Sequence, residues 1–134
     1  QPGVHPSGTR ADFYDESGVP THYKDPLDGQ IKPLPTDVSI HQDHIYPKKN
    51  ISQLEGYDRL TTAERKLIET DPMNMQPLPA SYNCSKNCRS FDTDPWERYK
   101  REELDEGYKD WLNSQQELMR DHLERRIAEM TKDR

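Results

Sequence analysis

The apolar positions divide this chain into two unequal regimes. Through residue 79 they come in short groups separated by proline. Ten of the eleven prolines lie there, and the eleventh, Pro95, precedes a stretch with none. Pro2, Pro6, Pro20, Pro26, Pro33, Pro35 and Pro47 interrupt any helical or central-strand pattern, because each fixes φ and removes a backbone donor. Residues 1–50 therefore read as an extended Pro-rich arm. Within it, Asp25-Pro26-Leu27-Asp28-Gly29 carries turn chemistry, with Pro presetting one dihedral and Gly tolerating positive φ. Val38, Ile40 and His44-Ile45-Tyr46 read either as anchors along an irregular path or as a short strand added to a partner's sheet edge.

Residues 51–71 form the first helical region. Ser52-Gln53-Leu54-Glu55 and Thr61-Thr62-Ala63-Glu64 both match the capping box, in which a hydroxyl accepts from one exposed N–H and the Glu reaches back. The second is followed by good helix formers, and Asp71-Pro72 should stop the helix. Leu60, Leu67 and Ile68 would form its small apolar face. Residues 72–93 read as an extended linker, with Pro77-Leu78-Pro79 matching the earlier Pro33-Leu34-Pro35.

The tail, residues 94–134, predicts one long helix. Asp94 is a good N-cap, Pro95 suits the first helical position and Glu97 the third. A helix over 95–131 would span roughly 55 Å. Glu97/Arg101, Asp105/Lys109 and Asp121/Arg125 are acid-first pairs four apart, which support an exposed face. The apolar positions break a heptad at Arg125. They keep an eleven-residue step instead: Tyr108, Met119 and Met130 align, as do Leu112 and Leu123. That period suits a nearly straight helix. Trp96, Tyr108, Trp111, Leu112, Leu118, Met119 and Leu123 are the expected partner-binding residues on it.

Composition sharpens this picture. Leu, Ile, Val and Phe number 21 of 134 residues, below the roughly 20% at which a chain struggles to offset its conformational entropy. Two Trp and seven Tyr exceed what a solvating tail needs. The expected fold class is mainly α with extensive irregular coil: an extended arm, short central helices, one long amphipathic helix and no independent globular core. Such a chain orders on docking. The net charge of −6, with no basic run beyond Lys48-Lys49 or Arg125-Arg126, argues against nucleic acid. No stretch approaches the ~20 apolar residues of a membrane span. Gln1 in place of Met points to a targeting segment removed upstream or to a missing true start.

Candidate chemistry is sparse. Cys84 and Cys88 form a C-x3-C pair, read as a disulfide, as free thiols or as metal ligands. Such a bridge closes too small a loop to remove much unfolded-state entropy. Over five residues the spacing resembles the C-x3-C helices of intermembrane-space chaperones, which carry a second pair that this chain lacks. His41 and His44, with Asp37 and Asp43 nearby, could complete a Cys2His2 zinc set, but 40 residues separate His44 from Cys84. The chain contains no G-x-G-x-x-G, G-x4-G-K-[ST], G-x-S-x-G or H-E-x-x-H. The acidic clusters Asp12/Asp15/Glu16 and Glu102/Glu103/Asp105/Glu106 read as solvated, so no catalytic residue and no cofactor are assigned. Asn50-Ile51-Ser52 and Asn83-Cys84-Ser85 are glycosylation sequons that keep a secreted fate open.

The expected function is non-catalytic: an accessory subunit bracing a large multiprotein assembly, with protein subunits and no small-molecule substrate as partners. A mitochondrial respiratory-chain or ATP-synthase complex is the first choice, at the intermembrane space or inner-membrane periphery. The alternatives are a microtubule-bound protein of the ciliary axoneme and a small redox- or zinc-binding protein using Cys84 and Cys88.

Overall fold

A computed structural model describes residues 9–87 and 96–134. From residue 9 onward the N-terminal half is folded, not an extended arm. Helix α1 (Arg10–Phe13) leads into strands β1 (His22–Lys24), β2 (Ile31–Pro33) and β3 (Ile40–His44). Helix α2 (Lys48–Ile51), a 3-10 turn (Tyr57–Arg59), α3 (Thr62–Glu69) and a second 3-10 turn (Pro72–Asn74) follow. Strand β4 (Met75–Pro79), helix α4 (Ala80–Asn87), strands β5 (Arg98–Tyr99) and β6 (Glu102–Glu103), and helix α5 (Glu106–Thr131) complete the described chain. The strands pair as three antiparallel ribbons, β1–β2, β3–β4 and β5–β6.

Local chemistry explains the first ribbon. Asp25 Oδ1 accepts from the Leu27 N–H at 2.9 Å and the Asp25 carbonyl accepts from Gly29 N–H at 2.7 Å. Gly29 supplies the positive φ of +74° that closes the turn. The expected turn is therefore present, and it joins β1 to β2.

Where the sequence left open irregular anchors or a short strand on a partner's sheet edge, strand β3 forms, and it pairs within the chain. Its partner is β4, in the register Ile40↔Pro79, Gln42↔Pro77 and His44↔Met75. Proline is tolerated because a two-stranded ribbon leaves alternate amides of each strand pointing outward, where no ladder donor is needed. The first capping box, Ser52–Glu55, forms turns and no helix. The second holds: Thr61 Oγ1 accepts from Glu64 N–H at 3.1 Å, and Glu64 Oε1 accepts from Thr61 N–H at 2.8 Å.

The tail helix starts later than expected. The predicted N-cap pair, Asp94-Pro95, lies outside the described residues. Trp96 to Leu104 is not helical: β5 and β6 turn back at Lys100, whose φ is +57°. Reversal there buries both Trp96 and Leu104 beside Tyr108, with the Trp96 and Tyr108 rings edge to face at 6.1 Å. Asp105 then caps α5, its carboxylate accepting from Tyr108 N–H at 2.9 Å. The helix runs 26 residues, about 39 Å.

A packed core exists, which overturns the expectation of none. One cluster gathers Tyr46, Ile51, Leu54, Tyr57, Leu60 and Ile68 against Leu123 and Ile127 of α5. A second gathers Ile45, Trp96 and Leu104 against Tyr108 and Leu112. Met119 packs against both, so α5 is the spine that joins them. The aliphatic count misleads because tyrosine, tryptophan and proline do much of the filling; Pro26 and Pro77 are fully buried. Aromatic side chains bury about 150–250 Å² each, more than any aliphatic.

Candidate functional site

The expected partner stripe divides once α5 is packed. Tyr108, Leu112 and Leu123 are buried in the chain's own core, as is Trp96. Trp111 and Met119 are half-buried. Trp111 meets Phe13 at 6.1 Å and Tyr108 at 5.4 Å, and the Lys24 ammonium lies 5.5 Å from its ring. Of the seven, Leu118 alone is exposed, at 56%.

Leu118 lies one turn before His122 and two before Arg126, so these three follow one ridge of the helix. That ridge is clasped by Asp71, whose carboxylate accepts from His122 Nε2 at 2.7 Å and Arg126 Nη1 at 2.9 Å. Burial by itself would raise the Asp71 pKa; the Met73 N–H, Arg126 and His122 outweigh it and hold the carboxyl below its ordinary value. At the far end, Arg134 grips Glu64 through two 2.6 Å contacts. Helix α3 therefore runs antiparallel to α5, with residue 64 beside 134 and residue 71 beside 122 and 126. Continuing that direction carries Met73 toward Leu118. Met73 and Leu67 are also exposed, at 49% and 53%, on the segment that packs along α5.

A second constellation is polar and withdrawn from water. Asp43 of β3, fully buried, faces Gln76 of β4 across the ribbon and accepts from its Nε2 at 2.9 Å. Lys86 of α4, 4% exposed, meets the same carboxylate oxygen at 3.2 Å and donates to the carbonyls of His44 (2.6 Å) and Ile45 (3.3 Å). Burial pushes the Asp43 carboxyl up, against the pull of Lys86. Beside them Tyr108 is fully buried, and burial lifts its phenol well above the ordinary range. Sequence reading missed both Asp43–Lys86 and Asp71–His122. The only available signal was their residue type, since ion pairs spanning tens of residues leave no local pattern.

Outside this cluster lies an open recess of about 630 Å³ between β3, α2 and the end of α3. Gln42, His44, Lys48, Lys49, Glu69 and Lys86 are among the residues lining it.

The fold brings the region of the proposed zinc ligands together without assembling a site. Helix α4 packs on β3, where His41 Nδ1 meets Asn83 Nδ2 at 2.9 Å. His44 Nε2 is instead directed to the Glu69 carbonyl at 2.7 Å. Cys84 is exposed on α4, whereas Cys88, and with it the expected disulfide, lies outside the described residues. Among the described residues no three His, Cys, Asp or Glu side chains are grouped to hold a metal ion. Both sequon asparagines are buried, Asn50 at 3% and Asn83 at 8% exposure, so neither amide can carry a glycan in this fold. No helix among the described residues is long and apolar enough to cross a membrane.

Compared with known protein families, curated proteins and solved structures, the chain matches none.

Proposed function

We propose that this chain is a non-catalytic accessory subunit that binds another protein through the apolar seam at Leu118. The observation that carries this reading is Leu118 itself. It is the one large aliphatic side chain of α5 that stands clear of the core, and Met73 and Leu67 are exposed on the neighbouring α3–β4 segment. Contiguous exposed apolar side chains with a polar rim mark interaction surfaces on soluble domains, and large side chains at the centre of a patch carry most of the affinity.

The closed state of the buried Asp43–Lys86 cluster supports the non-catalytic side of the reading. Three acceptors surround the Lys86 ammonium, and Asp43 is sealed from solvent. A general acid or base must reach the proton it transfers, and these groups are committed to holding β3, β4 and α4 together. The respiratory-chain and ATP-synthase assemblies expected from the sequence are the first in which to seek the partner.

A photo-crosslinking amino acid placed at position 118 tests the proposal in cells. The same group at Glu129, exposed on the same helix, is the control. A discrete cross-linked protein from position 118, absent from 129 and lost with Met73→Asp, supports it. Equal or no cross-linking from the two positions would refute it.

A further inference from the structure

The recess beside β3 is built as a receiver of negative charge. Three of its donor groups, the Lys48 and Lys49 ammoniums and the Gln42 amide, are uncommitted among the described residues, while its one carboxylate is engaged inside the protein. Gln42 Oε1 accepts from the Tyr14 hydroxyl at 2.5 Å, which leaves the amide nitrogen of Gln42 uncommitted. A carbonyl oxygen can only accept, so the His44 contact with Glu69 O requires a hydrogen on Nε2. Glu69, the single carboxylate in the lining, is engaged by the Tyr57 hydroxyl.

Opposing that one carboxylate are the ammonium groups of Lys48 and Lys49. Lys86 also lines the recess, but Asp43 and two carbonyls take its three hydrogens and Asp43 offsets its charge, so it fixes the wall without offering a donor. Lys48 and Lys49 are exposed at the rim and have no ion-pair partner among the described residues. Within a chain of net charge −6, two uncommitted ammonium groups are concentrated at one concave place. Concave walls focus such a field and raise the local concentration of counter-ions.

We infer that this recess binds a small, multiply charged oxyanion, of the phosphate-ester or polycarboxylate class, held by Lys48, Lys49 and the Gln42 amide. At about 630 Å³ the space falls within the range of small-molecule sites. It offers no phenyl or indole ring among its lining residues on which a nucleobase would stack. The ligand is therefore compact and polar, not a nucleoside. Lysine suits such a ligand because its ammonium is a compact charge with rotatable donors. This site is separate from the Leu118 seam and departs from the sequence expectation of no small-molecule ligand.

Calorimetric titration of the whole chain with inorganic pyrophosphate and, separately, citrate at low ionic strength tests it. The expected result is one-to-one binding of at least one probe, weakened about tenfold or more by Lys48→Glu with Lys49→Glu, and also by Lys48→Ala with Lys49→Ala. Lys66→Glu, an equal charge change per site on exposed α3, should leave affinity within about twofold. Pyrophosphate alone binding identifies a phosphate ester, and citrate alone a polycarboxylate; either supports the site. Binding of neither probe overturns the inference. So does an equal loss from Lys66→Glu, which would reduce the effect to a general field.

Discussion

Asp71 and His122 stand 51 positions apart in the chain and meet at 2.7 Å. Their contact, with Arg126 at 2.9 Å on the same carboxylate oxygen, fixes the seam where α5 crosses the α3–β4 connection. The Asp71 carboxyl is held below its ordinary value of 3.8. A depressed carboxylate contributes stability that is fully present above the unfolded value and is lost as pH falls through the lower folded value. Melting temperature should therefore drop more steeply below about pH 4 in the wild type than in Asp71→Asn. Parallel pH profiles for the two proteins would show that the clasp contributes nothing.

The Asp43–Lys86 pair makes an opposite kind of prediction. Removing one member of a buried pair strands the other, at a cost of about 3–5 kcal/mol, whereas removing both can be nearly neutral. Lys86→Met should thus strongly destabilise the chain, and Asp43→Leu with Lys86→Met should recover much of the loss. Denaturant titrations of the two variants check the ordering, and additive losses would contradict it.

Gly29 ties the β1–β2 turn to the cap of the long helix. A Cβ added there would sit 2.7 Å from Asp105 Oδ2, the atom that accepts from Tyr108 N–H. Its φ of +74° adds the left-handed cost of about 1–2 kcal/mol for a side-chain-bearing residue. Gly29→Ala should lose at least that much and lower helicity at 222 nm. Gly18 is also at positive φ, but a Cβ there would meet nothing within 4 Å, so it should respond to Ala through strain alone.

How far the sequence reached follows from how local each signal is. The Thr61–Glu64 box and the Asp25–Gly29 turn were legible because their donors and acceptors lie within a few residues. The inward stripe of α5 was legible too, since the eleven-residue step picked out Tyr108, Leu112, Met119, Leu123 and Met130. What covers that stripe was not, because Tyr46, Ile51, Tyr57 and Ile68 are scattered among prolines and polar residues and meet α5 only in space. The start of α5 was misplaced because Pro95-Trp96-Glu97 is a sound helix opening, yet burying Trp96 on Tyr108 outweighs that local preference. Of the candidate seam, Leu118 was named from its helical position. Met73 was not, as nothing in its neighbourhood distinguishes it.

Stability and binding should separate along α5. Trp111 packs on Phe13 and Tyr108, so Trp111→Ala should destabilise the fold by about 2–4 kcal/mol, part of the penalty for emptying a fully buried aromatic site. Leu118→Asp, on exposed surface, should change stability by no more than about 0.5 kcal/mol while abolishing co-purification of the partner. Thermal melts of both variants decide this. A large loss of stability from Leu118→Asp would place that side chain in the core and remove the seam.

Hydrogen exchange of the purified, isolated chain tests most directly whether it folds around its own core. The amide of Ile45, donated to the Asn74 carbonyl at 2.9 Å, and those of Leu123 and Ile127 in the second half of α5 report on both clusters at once. They should exchange together, at least a thousandfold slower than unstructured peptide, matching a cooperative unit of about 4 kcal/mol or more. Exchange of all three at peptide rates, with protection appearing only after a partner protein is added, would contradict it.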